Sequence, residues 1–104
     1  MTQEEFEIVF RLVYETSKKM LLSKSKEYAG DGDRLHTFHF AAAMNGCTTE
    51  AALWGLLTKH IISLRDLCLG VTKGDAAMWR EKIMDTINYL ILLAGAVDAF
   101  KEED

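Results

Sequence analysis

A chain of 104 residues, 49% apolar and 27% charged, has the size and composition of one ordinary globular domain spanning residues 1–104, able to bury roughly two thirds of its unfolded surface without staples. Its formal charge of −4 argues against a nucleic-acid backbone or an anionic membrane as the main partner, since both demand a cationic surface, but a small phosphate ligand needs only a local cluster of lysines or a metal. Cys47 and Cys68 form no paired framework, no C-x-x-C or H-x-x-x-H pair marks a zinc site, and the longest apolar run, Tyr89 to Val97, falls far short of the roughly 20 residues that span a bilayer.

The first helix begins almost at once. Thr2 with Glu5 is a capping box, and Phe6, Val9, Phe10, Val13 and Met20 or Leu21 follow at helical spacing. The pattern predicts a helix to about Tyr28, with Lys18, Lys19, Lys24 and Lys26 towards its C-terminal end, where the helix dipole favours positive charge. Gly30, Asp31, Gly32 and Asp33 then stop it, and a short helix from Leu35 to about Met44 closes at Asn45-Gly46. Thr48 or Thr49 caps the third helix, which runs to Gly70 with Leu53, Leu57, Ile61, Leu64 and Cys68 as its apolar face. Asp75 caps the last helix, predicted to reach about Phe100 before an acidic tail.

No segment alternates as a strand would, so the expected fold is all-α: a small bundle of three long helices and one short helix. The helices are long for so small a chain and their apolar faces wide, which predicts a homo-oligomer, a dimer at least, that completes the bundle. Trp54, Trp79 and the phenylalanines read as core. Nothing resembling a signal peptide precedes the first helix, and a cytoplasmic protein with reduced thiols is expected.

Two kinds of surface meet on the last helix. At about 100° per residue, Trp79, Ile83, Leu90, Leu93 and Val97 share one face, while Glu81, Asp85 and Asn88 form a narrow stripe roughly opposite. Beyond Tyr89 the helix is apolar on every side, so these carboxylates sit where a solvated surface passes into a core. Glu81 and Asp85 also repel each other by a few tenths of a kcal/mol unless a cation lies nearby. On the third helix Lys59, His60, Ser63 and Asp66 form a second polar group, and an antiparallel packing of the two helices would bring Asp66 near Glu81 and Lys59 nearer Asn88. Such a pocket suits Mg²⁺, a hard ion that takes oxygen ligands and shares its shell with substrate phosphates. The bland alternative is a set of ordinary surface ion pairs.

The end of the first helix offers a third group, Lys24, Lys26, Tyr28 and Gly30: charge for phosphates, a ring for stacking a base, and backbone that can come close. Asp31 and Asp33 would repel a phosphate unless they held a metal. His36 and His39 lack a third ligand and read as packing or hydrogen-bonding groups rather than a metal site.

These residues, K-x-K-E-Y-A-G from Lys24 to Gly30, Lys59-His60 with Asp66, and W-x-E-K-I-x-D-x-x-N-Y-x-x-L-L from Trp79 to Leu93, resemble the small phage and prophage proteins called nucleotide-modification-associated domains. Those in turn resemble the all-α nucleotide pyrophosphatases of the MazG and dimeric dUTPase group. The resemblance implies an oligomeric helical bundle in a host cytoplasm that cleaves a nucleoside triphosphate to the monophosphate and pyrophosphate with Mg²⁺. In that group one helix carries E-x-x-E and the next E-x-x-D. Here Asp85-x-x-Asn88 with Glu81 matches the second motif imperfectly, and Lys59, Ser63 and Asp66 stand where the first would be.

The enzyme reading therefore assigns Glu81 and Asp85 to catalysis, Asp66, Glu81 and Asp85 to Mg²⁺, and Lys26, Tyr28, Lys59, His60 and Asn88 to the nucleotide. A second reading is a protein that binds or sequesters a nucleotide or cyclic-nucleotide signal without turning it over. A third is a helical module that binds a protein partner through its apolar last helix.

Overall fold

The computed structural model describes residues 1–23 and 32–102, and the described residues form four α-helices and no strand. They are α1 (Gln3–Ser23), α2 (His36–Asn45), α3 (Thr49–Cys68) and α4 (Ala76–Ala96). No helix among the described residues is long and apolar enough to cross a membrane.

Local chemistry sets most of the boundaries. At the start of α1 the Glu5 amide donates to Thr2 Oγ1 at 3.1 Å while the Thr2 amide donates to the Glu5 carboxylate at 3.4 Å, a reciprocal cap that satisfies two otherwise orphaned donors. The Ala51 amide donates to Thr48 Oγ1 at 3.2 Å, and the Met78 amide donates to Asp75 Oδ1 at 2.9 Å. Helix α2 closes on Gly46, whose φ of 63° lets the Cys47 amide reach back to the Ala42 carbonyl at 3.0 Å. The predicted extension of α1 to Tyr28 lies outside the described residues.

Two sequence expectations are corrected here. Helix α4 ends at Ala96 rather than near Phe100, because Asp98 takes a left-handed turn at φ 52° and the Ala99 amide bonds back to the Ala94 carbonyl at 3.3 Å. Aspartate is one of the few residues with a side chain that tolerates this conformation. The buried stripe of α3 also rotates: Leu53, Leu57 and Leu67 are buried, whereas Ile61 and Cys68 are exposed. Its spacing therefore follows a narrower heptad-like seam.

Helices α3 and α4 pack antiparallel. His60 meets Asp85 and Tyr89 in the middle of the pair, and at the closed end Leu67 and Met78 both crowd against Gly74. Helix α2 lies on α3, and α1 packs chiefly on α4. The core is small: Phe38, Ala42, Leu53, Leu57, Leu67 and Met84 are its buried apolar residues.

Much of the expected core stays uncovered. Trp54 is 57% exposed and Phe6, Phe10, Phe40 and Phe100 are all exposed, so of the phenylalanines only Phe38 is buried. The reason is the shape of the single chain. Its radius of gyration is 15.7 Å, against about 13 Å for a compact domain of this length. Its accessible area is 7934 Å², against about 5,900 Å² for a folded monomer of its mass.

Candidate functional site

The stripe on α4 behaves as its sequence implies. Glu81 is exposed, Asp85 is half-buried and Asn88, at 8% exposure, is buried, so one helix face carries polar groups from solvent into the core within two turns. At the inner end the Ser17 hydroxyl, itself 5% exposed, donates to Asn88 Oδ1 at 2.7 Å, and the Asn88 amide points at the Met20 sulfur at 3.8 Å. This bond joins residues 71 apart in sequence and fixes the register of α1 on α4. Asn88 thus has its carbonyl oxygen committed to a neighbouring helix while its side chain also forms cavity wall.

Removing the hydroxyl strands a buried acceptor. Ser17→Ala is expected to cost about 1–2 kcal/mol, because a buried amide oxygen loses its donor without regaining water. Urea unfolding should show a lower midpoint at unchanged slope; an unaltered midpoint would mean that the amide finds another partner.

Asp85 faces α3. Its Oδ2 lies 3.6 Å from His60 Nδ1, beyond hydrogen-bond length, and the two form an ion pair only when the imidazole is protonated. The His60 ring stacks on Tyr89 at 4.9 Å and 29°, and Tyr89 meets Phe38 edge-on at 6.2 Å. Imidazole, phenol and phenyl rings thus form a continuous aromatic wall whose preferred geometry holds Tyr89 in place.

That wall borders a cavity of about 250 Å³. Phe38 and Tyr89 supply its aromatic lining, and Met20, Leu21, Leu56 and Leu92 its aliphatic lining. Four polar side chains converge on it: Arg34, Thr37, Asp85 and Asn88. A mostly apolar hollow with a few convergent polar groups is the usual form of a small-molecule site. Its volume lies below the roughly 300–1,000 Å³ typical of drug-sized ligands, so it suits a ring system with its polar extension left outside.

The structure brings together some of the sequence-predicted residues. Asp85, Asn88 and His60 meet around Tyr89. Glu81 lies farther out on α4, Asp66 is turned towards Arg65 at 3.9 Å, and Lys59 is exposed and no part of the cavity wall. Among the described residues, no three His, Cys, Asp or Glu side chains are close enough to hold a metal ion between them, so Asp66, Glu81 and Asp85 are not preassembled as a ligand set. Lys26 and Tyr28, with Lys24 and Asp31, lie outside the described residues.

His39 is occupied structurally. Its Nδ1 is 2.7 Å from Thr49 Oγ1 and its Nε2 is 3.3 Å from Asp33, so it ties the loop before α2 to the start of α3. Asp33 also accepts the Leu35 amide at 2.9 Å. Sequence reasoning missed Arg34, Thr37 and Tyr89 as cavity residues. Tyr89 carried a signal, since it follows Asp85 by one turn on the same side of the helix. Arg34 and Thr37 carried none, because only the packing of α2 against α3 brings them to α4. Compared with protein-family models, with curated proteins and with solved structures, the chain matches none.

Proposed function

We propose that this protein acts on a nucleotide, with the base in the cavity beside Phe38 and Tyr89 and the phosphates directed outward along α4 past Asp85 towards Glu81. The single observation that carries this reading is the cavity itself: an aromatic wall continuous with a polar stripe that leads from core to solvent. A flat ring with a charged extension needs both surfaces in that order. The chemistry we assign is Mg²⁺-dependent hydrolysis of a nucleoside triphosphate to the monophosphate and pyrophosphate, as the resemblance to the all-α pyrophosphatases implies.

Two carboxylates one turn apart fit Mg²⁺, which keeps several waters and is often held by one or two carboxylates together with substrate phosphates. The ion would be held by Asp85 and Glu81 and would supply charge neutralisation at the phosphoryl oxygens. The chain's own residues do the rest: Tyr89 and Phe38 orient the ring, Arg34 and Thr37 offer donors at the cavity wall, and His60 holds Tyr89 and faces Asp85.

A second reading, sequestration of a nucleotide or cyclic nucleotide without turnover, is favoured by one observation. Asp85 already faces His60, with Oδ2 3.6 Å from Nδ1.

Both readings include self-association. The chain exposes about 2,000 Å² more than a folded monomer of its mass should, and a homo-oligomer in a host cytoplasm is the state we assign to it.

The ring site is testable on its own. Base stacking on an aromatic side chain contributes about 1–3 kcal/mol, so Tyr89→Ala is expected to weaken nucleotide binding about 5- to 150-fold in calorimetric titration, while Tyr89→Phe retains most of the affinity. Equal affinities for the alanine variant and the native protein would place the base elsewhere.

A further inference from the structure

At the inner end of the cavity one polar side chain has its two ends against different neighbours. Asn88 is 8% exposed and lines the cavity beside Met20 and Leu92. Its carbonyl oxygen accepts the Ser17 hydroxyl at 2.7 Å, and its amide nitrogen faces the Met20 sulfur at 3.8 Å. Those neighbours decide which end of the amide lies on which side. A thioether sulfur can only accept, so the amino end takes the Met20 side. A hydroxyl can donate or accept, and Ser17 therefore meets the remaining oxygen as a donor. Ser17 and Met20 both belong to α1, so the seating of α1 on α4 orients a group on the cavity wall.

The two ends of the amide are unequally satisfied. Its oxygen has a strong donor, whereas among the described residues its nitrogen, which carries two N–H bonds, meets one weak acceptor. A donor on so buried a side chain, without an oxygen or nitrogen partner, costs free energy until a ligand supplies one. Asp85, three residues earlier on α4, is half-buried, nearer solvent and turned towards His60. Along this wall a donor therefore stands at the inner end and an acceptor at the outer end.

We infer that Ser17 is a positioning residue for base selectivity: by holding the Asn88 oxygen it keeps an N–H of the amide presented to the cavity, so the bound ring carries an oxo group, rather than an amine, at the edge that reaches Asn88. The inference rests on the nucleotide reading above and adds to it a class of base, one with a ring carbonyl on the edge away from the sugar. An amine at that edge would set N–H against N–H inside a largely apolar hollow. A buried polar group left unpaired discriminates between ligands far more strongly than a change in apolar contact does.

The test is calorimetric titration of the whole chain with two pairs of nucleoside monophosphates, uridine against cytidine and inosine against adenosine. The members of each pair exchange an oxo for an amino group, and none carries a triphosphate to be cleaved. Within the tighter-binding pair the native protein is expected to favour the oxo member about 10- to 100-fold. Ser17→Ala lets the amide turn over and present its oxygen, so at a temperature where the variant is folded the ratio should fall below about 3-fold. Ser17→Thr keeps the hydroxyl and should keep the ratio. An apolar hollow of about 190 Å³, lined by Ser17 with Val13 and Ile87 among others, has room for the added methyl group. A serine that only braced the fold would lower both affinities together and leave their ratio as it was.

Equal affinities within the pair, a native preference for the amino member, a ratio that survives Ser17→Ala, or one lost equally in Ser17→Thr would overturn the inference. Failure of the nucleotide reading looks different: none of the four monophosphates binds, or binding is indifferent to Tyr89→Ala. Where Tyr89→Ala weakens binding and the ratio still fails, the Ser17 assignment alone is wrong.

Discussion

Leu57→Ala is expected to destabilise the fold by about 2–5 kcal/mol, a large share of the roughly 5–15 kcal/mol that holds a domain of this size together. Leu57 is 2% exposed at the centre of α3, in a core that has six buried apolar residues among the described ones. So small a core has little material with which to fill the space left by three carbon atoms, and the loss sums transfer free energy with an unrelaxed cavity. The melting temperature should fall by about 10 °C or more. Thermal unfolding followed by circular dichroism reads the effect directly. A loss below about 1 kcal/mol would mean that contacts beyond those within the protomer dominate its stability.

Asp85→Asn is expected to reduce metal-dependent turnover at least about 100-fold while leaving the fold intact, because the amide conserves volume but surrenders both the charge and the hard oxygen pair that suit Mg²⁺. Glu81→Gln should have a smaller effect, since Glu81 is exposed and its part is more readily taken by water. Steady-state rates across a Mg²⁺ titration separate the two cases. A variant that recovers full rate at high Mg²⁺ has lost metal affinity, and one that does not has lost transition-state stabilisation. Full activity for Asp85→Asn at every Mg²⁺ concentration would remove Asp85 from the site and leave it as an ordinary partner of His60.

The helix starts were legible in the sequence because each depends on a residue and its neighbour three positions on: Thr2 with Glu5, Thr48 with Ala51, Asp75 with Met78. The gradient from Glu81 to Asn88 was legible for a similar reason, being a property of one helix face. What sequence spacing does not carry is how helices meet. The Ser17–Asn88 bond, the stacking of His60 on Tyr89, and the convergence of Arg34 and Thr37 on one cavity all arise between elements distant in sequence. The misreading of Trp54 and of most phenylalanines as core has the same origin. Their spacing is that of buried side chains, and nothing among the described residues covers them.

The measurement that bears most directly on the nucleotide assignment is to incubate the purified protein with nucleoside triphosphates and cyclic dinucleotides, with and without Mg²⁺. Both the free solution and the ligand released on denaturing the protein are then chromatographed. Our account predicts Mg²⁺-dependent formation of a nucleoside monophosphate and pyrophosphate that Asp85→Asn abolishes. Intact nucleotide recovered only from the denatured protein would replace hydrolysis with sequestration at the same cavity. Every nucleotide left unaltered in solution, with none on the protein, would contradict the nucleotide assignment altogether.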